Sequence, residues 1–560
     1  MNRRELLKSA TAASIGFSAL GAGPQTHRTA TPNDAAGLEP SPDLPNRFVR
    51  MANQFKQPLH RERCPLKNEV VPVANSDAYL RGEMRPVGDA HSIEKEILKP
   101  GDILYLDFGR HVTGFLHFDL SAIGINIDSP ARLRLTFGEV PGDVAESFYP
   151  YKGSLAEAWL PDEVVNLDPL PLSFVTTRRH AFRYVKLEVV SLSRKYSIRL
   201  SNCYVESVTS AANDIAPLPP GKSQLLVDID RVALNTLRDC MQTVFEDGPR
   251  RDQRLWMGDF RLQALANYVT YRNMDLVKRC LYLLAAYPQD DGMLSACVFE
   301  KPFPRRAGDV ILDYAAIFSI TLLEYLEQTG DLTTVRDLWP TAIRQIDLIS
   351  KFVNERGLFV DPQTLWIFID WETSLHRDAA TQGVIICSLR ATISLAEKLG
   401  EKSVQSRLNG LLSKMLSTAK ETFFDPEQGL FVSGPDRQIS WASQAWLTLA
   451  NVLPRAESAN VLRSAAKAAK IVRPSTPYLY HYVVEAMVSC GMQKEADELI
   501  ASYWGGMVQR GADTFWEVYD PANSMASPYD DVHINSFCHA WSCTPTYFLR
   551  KPRLASADSA

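Results

Sequence analysis

The segment EDGPRRDQRLWMGDF, Glu246 to Phe260, gathers three aspartates (Asp247, Asp252, Asp259), three arginines (Arg250, Arg251, Arg254) and Trp256 into one short stretch. Carboxylates and guanidiniums hydrogen-bond the hydroxyls of a sugar ring, and an indole stacks on its apolar C–H face. The same charges could also form a mutually neutralising surface network. A solvated loop has little use for Trp256, however, or for Pro249 and Gly258 pinning the backbone on either side of the charges, so the segment reads as the edge of a sugar site.

Two further segments repeat this chemistry. RGADTFWEVYDPANSMASPYDDVHINSFCHAW places Trp516 and Glu517 before a loop rich in Asp, Pro and Ser, followed by His533 and His539. WIFIDWETSLHRD offers Asp370, Trp371 and Glu372. Two separated acids facing one pocket suit glycosidic cleavage: one, protonated, assists the leaving oxygen, and the other, ionised, activates water or attacks the anomeric carbon. An elimination on an acidic sugar would instead use Tyr519, Tyr529 or His533. Neither HExxH nor CxxC occurs, and Cys538, His539 and Cys543 in CHAWSC read as packing residues, so no metal and no cofactor is expected.

The elements that must position these groups fall into two textures. Between residues 61 and 215, runs such as GDILYLDFGRHVTGFLHFDL, ARLRLTFGEV and FRYVKLEVV alternate apolar and polar residues, which predicts an antiparallel β-sandwich. APLPPGK, Ala216 to Lys222, marks a boundary. From 223 to 553 apolar residues recur at i, i+3, i+4 and i+7 in about twelve helices. The helices come in pairs, as the similar phrases ERGLFVDP and EQGLFVSG suggest, and predict a closed (α/α)6 barrel whose inner-helix loops converge on one pocket.

At the charged segments the chain resembles the α-L-rhamnosidases of glycoside hydrolase family 78. That family carries a motif of the type Asp-Cys-Pro-x-Arg-Asp/Glu-Glu-Arg-x-Gly-Trp-x-Gly-Asp, to which DGPRRDQRLWMGD is similar; DFGRHVTG, FGEV and HAFRYVKLEVV also fit, ADTFWE resembles the segment bearing the catalytic base, and SFCH a later Ser-x-Asn-His phrase. The resemblance implies Glu517 as base and Asp247, Arg251, Trp256, Asp259 and His539 as sugar-binding residues. Counted from Asp247 the acid position falls on Gln253; anchored on Trp256, Gly258 and Asp259 it falls on Asp252. Asp252 is the assignment taken, and the alternative is a non-catalytic carbohydrate-binding relative that lacks the acid. The resemblance further implies inversion of configuration, with release of a terminal α-L-rhamnose or similar deoxy sugar. Another sugar specificity, or a lyase on the same ring, is the enzymatic alternative.

The remaining sequence bounds partner and compartment. The net charge of −5 and the 46% hydrophobic content fit a globular protein whose partner is an oligosaccharide or glycoside rather than nucleic acid, and no run marks a membrane span. Residues 1–23, with Arg3 and Arg4 before an Ala/Ser/Gly-rich run, match a twin-arginine signal, which predicts a periplasmic or secreted protein. Residues 24–60 read as a linker and 554–560 as a disordered tail. The nine scattered cysteines are expected to be free buried thiols, and the oligomeric state is not encoded in any feature of the sequence.

Overall fold

The computed structural model describes residues 47–75, 78, 80 and 82–551; the twin-arginine segment, the start of the linker and the tail lie outside the described residues. The expected linker does not extend to residue 60. Arg47–Gln54 is a helix whose Ala52 is fully buried, and its carbonyl accepts from Arg279 Nη1 at 2.8 Å, tying the helix to Met274–Ala286. The polar composition of this stretch hid one apolar stripe, Phe48, Met51, Ala52 and Phe55.

Nine strands, from His60–Pro65 to Tyr196–Thr209, form one antiparallel network. Its spine is the strand Ile103–Gly124, which pairs with His180–Ser191 over its first half and with Tyr196–Thr209 over its second, so the layers of the expected sandwich share one hydrogen-bonded strand. Alternation puts Leu106, Leu116, Phe118, Leu133, Phe137, Phe182, Leu187 and Ile198 into a common apolar core. The DFGRHVTG phrase is where the spine bulges: between Asp107 and Val112 the register slips against His180–Ser191, and Gly109 adopts φ +77°. The bulge delivers His111 out of the sheet towards the helical domain.

Twelve α-helices from Gln224 to Arg550 build the second domain among the described residues. Met257–Tyr268, Leu312–Thr329, Asp378–Leu399, Trp441–Leu449, Pro477–Ser489 and Pro545–Arg550 pack successively as an inner ring, each covered by an outer helix. Inner and outer roles are written in burial. Every residue of Met257–Tyr268 is buried, whereas outer Lys402–Phe423 buries only the stripe Leu408, Met415, Thr418, Ala419 and Phe423. The ring closes where Arg550 and Thr546 of the last helix bond Asp230 of the first at 2.5 and 2.6 Å. Asp378–Leu399 is long and apolar enough to cross a membrane, but 78% of its apolar window is buried in the barrel wall, where that apolarity serves packing. All nine cysteines are free thiols.

Candidate active site

The loop Asp247–Arg254 is pinned at its base by one residue. Asp247 N–H donates to the Arg254 carbonyl and Arg254 N–H donates to Asp247 Oδ1, both at 3.0 Å. Between them Asp252 (φ 58°) and Gln253 (φ 52°) are consecutive left-handed residues, a conformation that costs non-glycine residues roughly 1–2 kcal/mol each and that the surrounding bonds must hold. The reversal separates the two side chains. Gln253 turns back to donate to the Pro249 carbonyl at 2.8 Å, while Asp252 lines a cavity with Glu517.

That cavity lies over the N-terminal ends of inner helices. Asp259 enters it from the first turn of Met257–Tyr268 and Tyr314 from the first turn of Leu312–Thr329. Gly258 is required beside them, since any Cβ there would run into the Tyr314 ring. Asp313 accepts from the N–H groups of Phe368 and Ile369 at 2.8 and 3.1 Å, which fixes the loop presenting Trp366, Phe368 and Trp371. Trp256, Ile311 and Trp541 complete the apolar wall, and Asp247, Arg251, Tyr529 and His539 complete the polar one.

Glu517 is the most heavily bonded carboxylate on that wall. Its Oε2 accepts from Arg251 Nη2 at 2.5 Å and Ser536 N–H at 3.0 Å, and its Oε1 from the Tyr529 hydroxyl at 2.6 Å. Burial opposes its ionisation, but the Arg251 guanidinium, Tyr529 and Ser536 outweigh burial and hold the carboxyl below the usual glutamate range. Arg251 reaches Asp252 Oδ1 with its other terminal nitrogen at 3.9 Å and lies over the Tyr529 ring, so one guanidinium stands between the two acids. Burial pushes Asp247 and Asp259 well above the carboxylate range, helped in each case by the other acids nearby. Burial likewise lowers His539 to about 4, so its imidazole is neutral at ordinary pH. Trp371 Nε1 is buried without a hydrogen-bond partner, and Asp259 Oδ1 and His539 Nδ1, buried 3.3 Å apart, make no well-aligned bond. Unspent donors and acceptors facing an aromatic cavity suit sugar hydroxyls.

Three expected binding residues stand behind this wall. Asp370 spends both oxygens on Ser475 N–H (2.7 Å) and the Thr476 hydroxyl (2.5 Å) at the start of Pro477–Ser489, and burial raises its carboxyl to about 6. Trp516 is buried edge-on against Tyr519 and Phe537. His533 sits beside Phe148 and Glu146 of the sheet domain. In each case another residue of the same loop occupies the cavity side: Trp371 and Glu517 are the next in sequence, and Tyr529 lies four residues before His533. Of the groups considered for elimination chemistry, Tyr529 lines the cavity and Tyr519 does not. Tyr314, Trp366, Phe368 and Trp541 are not singled out in the sequence; Trp366, Phe368 and Trp541 lie within the selected phrases, and their aromatic type is the usable signal.

The sheet domain braces the site from outside. Arg250 donates to Asp143 at 2.6 and 3.1 Å, Phe537 N–H to Glu139 Oε2 at 2.6 Å, and Ser154 N–H to the Tyr529 carbonyl at 2.9 Å. His111 bridges Asp239 (2.6 Å) and Glu139 (3.1 Å). His111, Asp239 and Cys538 are close enough to one another to share an ion. Burial opposes the His111 charge, yet Cys538 and the two carboxylates beside it hold the ring well above the usual histidine range, which makes it a charged bridge and a poor metal ligand.

Comparison with known proteins agrees with this geometry. Residues 67–207 match the glycosyl hydrolase family 78 alpha-rhamnosidase N-terminal domain, and residues 221–552 the bacterial alpha-L-rhamnosidase 6 hairpin glycosidase domain. A rhamnosidase from Klebsiella oxytoca, solved with rhamnose bound, is 42% identical, with a TM-score of 0.87 over 90% of this chain and 98% of that one. The family 78 rhamnosidase of Bacillus sp. GL1 (22% identity, TM-score 0.70) and the Streptomyces avermitilis α-L-rhamnosidase complexed with L-rhamnose (16%, 0.65) share the fold. This chain is covered over 84% and 88% by them and spans 49% and 44% of theirs. None of the curated proteins compared matches the chain. With both domains matched and a relative this similar over nearly its whole length, the chain belongs to glycoside hydrolase family 78, the α-L-rhamnosidases.

Proposed function

We propose that this glycosidase releases terminal α-L-rhamnose with inversion of configuration, Asp252 acting as general acid and Glu517 as general base. The carrying observation is that these two carboxyls line one cavity with the Arg251 guanidinium between them. Inverting enzymes keep their carboxyls about 6.5–9.5 Å apart to admit a water, and an interposed guanidinium fits that spacing better than the roughly 5–5.5 Å of a retaining pair. Glu517, held ionised, takes the proton of the attacking water. Asp252, the less enclosed of the two, faces the glycosidic oxygen. Asp247, Asp259, His539 and Trp371 bind hydroxyls, and the aromatic wall takes the apolar face and the C6 methyl of a deoxy sugar. Following the anomer first released from an aryl α-L-rhamnoside by NMR tests inversion; first appearance of the retained anomer overturns it. We also propose, on the Arg3-Arg4 leader alone, that the enzyme works outside the cytoplasm, which fractionation of the producing cell tests.

A further inference from the structure

We infer that the preferred substrate carries a carboxylate on its leaving group, as a uronic acid residue does, and that Arg254, Phe299 and Arg305 receive it. This rests on Asp252 being the acid, because the group that protonates the glycosidic oxygen marks the side of the cavity on which the leaving group lies.

On that side Arg254 stands 3.5 Å from Asp252, and its guanidinium lies 4.2 Å from the centre of the Phe299 ring. Arg305 lies 4.3 Å from the same ring. Strand register explains the row. Leu255 and Trp256 pair with Val298 and Cys297, and Phe299 pairs with Arg305, so extending the ladder one step puts Arg254, Phe299 and Arg305 side by side. Arg254 and Trp256, two residues apart, face the same way, and Trp256 lines the cavity. The row therefore continues the Trp256 wall outward from the catalytic acids.

Its charge is only partly spent, Arg254 on Asp252 at 3.5 Å. Arg254 Nε is buried without a hydrogen-bond partner. Arg305 has no carboxylate within ion-pair distance among the described residues and bonds only the Lys301 carbonyl, at 2.7 Å. Exposed Lys301 adds a third cation, 3.9 Å from Glu246, which Arg179 already engages at 2.5 Å. Glu300 is likewise divided between Arg279 and Lys56. A chain of net charge −5 thus leaves Arg305 and Lys301 as under-compensated positive charge on and beside the ladder that carries Trp256. Guanidiniums flanking an apolar ring match a uronate, whose planar carboxylate accepts paired N–H bonds while its C–H face lies on the phenyl ring.

The test compares kcat/KM of the full chain for a rhamnosyl-uronate disaccharide and for a neutral rhamnosyl-hexose disaccharide of the same linkage. The expected ratio at low salt is about tenfold in favour of the uronate, falling as ionic strength rises. Arg305→Gln should bring the ratio close to one, Lys301→Gln should lower it less, and Arg305→Lys should restore part of it. Equal rates on the two disaccharides, or a ratio untouched by both Gln variants, overturn the inference while leaving the enzyme an α-L-rhamnosidase. Absence of turnover on both disaccharides and on an aryl α-L-rhamnoside would refute the proposed site itself, and this inference with it.

Discussion

Replacing Tyr529 by Phe removes one hydroxyl and tests whether Glu517 is the base. The hydroxyl donates to the buried Glu517 Oε1 at 2.6 Å, a bond to a charged acceptor worth about 1.5–3 kcal/mol. It favours the ionised carboxylate, so its loss raises the Glu517 pKa, and at 1.36 kcal/mol per unit the full bond corresponds to about one to two units. Arg251 and Ser536 still bond Oε2, which keeps the carboxylate ionised at neutral pH. The expectation is therefore directional. The acidic limb of kcat/KM on an aryl α-L-rhamnoside moves up by about one unit, activity is lost chiefly at low pH, and raising the pH recovers most of it. KM should change little. A uniform loss at every pH with the acidic limb unmoved would refute Glu517 as the titrating base, because a merely structural defect lowers the plateau without shifting the limb.

Asp252→Asn should lower kcat about 10²–10⁴-fold on sugars with poor leaving groups and much less on an activated aryl rhamnoside, and Gln253→Glu in that background should not rescue it, because position 253 faces the Pro249 carbonyl. Asp370→Asn should lower the thermal midpoint by removing the carboxylate that holds Ser475 and the Thr476 N-cap of Pro477–Ser489, a cost of about 1–3 kcal/mol, with KM unchanged; a raised KM would return Asp370 to the sugar site. Arg250→Met leaves Asp143 buried without its cation, while Glu139 keeps His111, and thermal unfolding should report a loss of about 3–5 kcal/mol; an unchanged midpoint would refute the brace between the domains.

Periodicity made the sheet domain, the helix pairs and the identity of the acid-bearing loops legible, because alternation and the i, i+3, i+4 pattern record which face of an element is buried. What each loop residue does was less legible. Asp370 and Trp371, or Trp516 and Glu517, are adjacent and of equally suitable type, and only the direction of the backbone decides which one reaches the cavity. The Asp252 and Gln253 pair shows the same limit within a single turn. Both positions were candidates for the acid by alignment, and two consecutive left-handed residues, which leave no mark in hydropathy, send one side chain forward and the other back. The helix Arg47–Gln54 escapes notice for a related reason: eight residues, half of them polar, carry too short a stripe to stand out from a linker.

The sheet domain also belongs to the catalytic argument, although no residue of it lines the cavity. Glu517 is ionised because Arg251, Tyr529 and Ser536 converge on it, and each of these is held from the sheet side. Arg250, next to Arg251, is anchored by Asp143; the Tyr529 carbonyl accepts from Ser154; and Phe537, next to Ser536, donates to Glu139. Phe148 and Leu160 of the sheet domain pack with Ile534, whose carbonyl in turn accepts from Arg251 Nε at 2.9 Å. Burying a carboxylate among three donors is favourable only while those donors stay put, since a lost partner leaves an unpaired charge in a low-dielectric site. The FGEV and DFGRHVTG phrases are then part of the base's electrostatics: Glu139 and His111 lock the segments that carry its donors, and a helical barrel stripped of the sheet would keep Glu517 but lose the reason it is ionised.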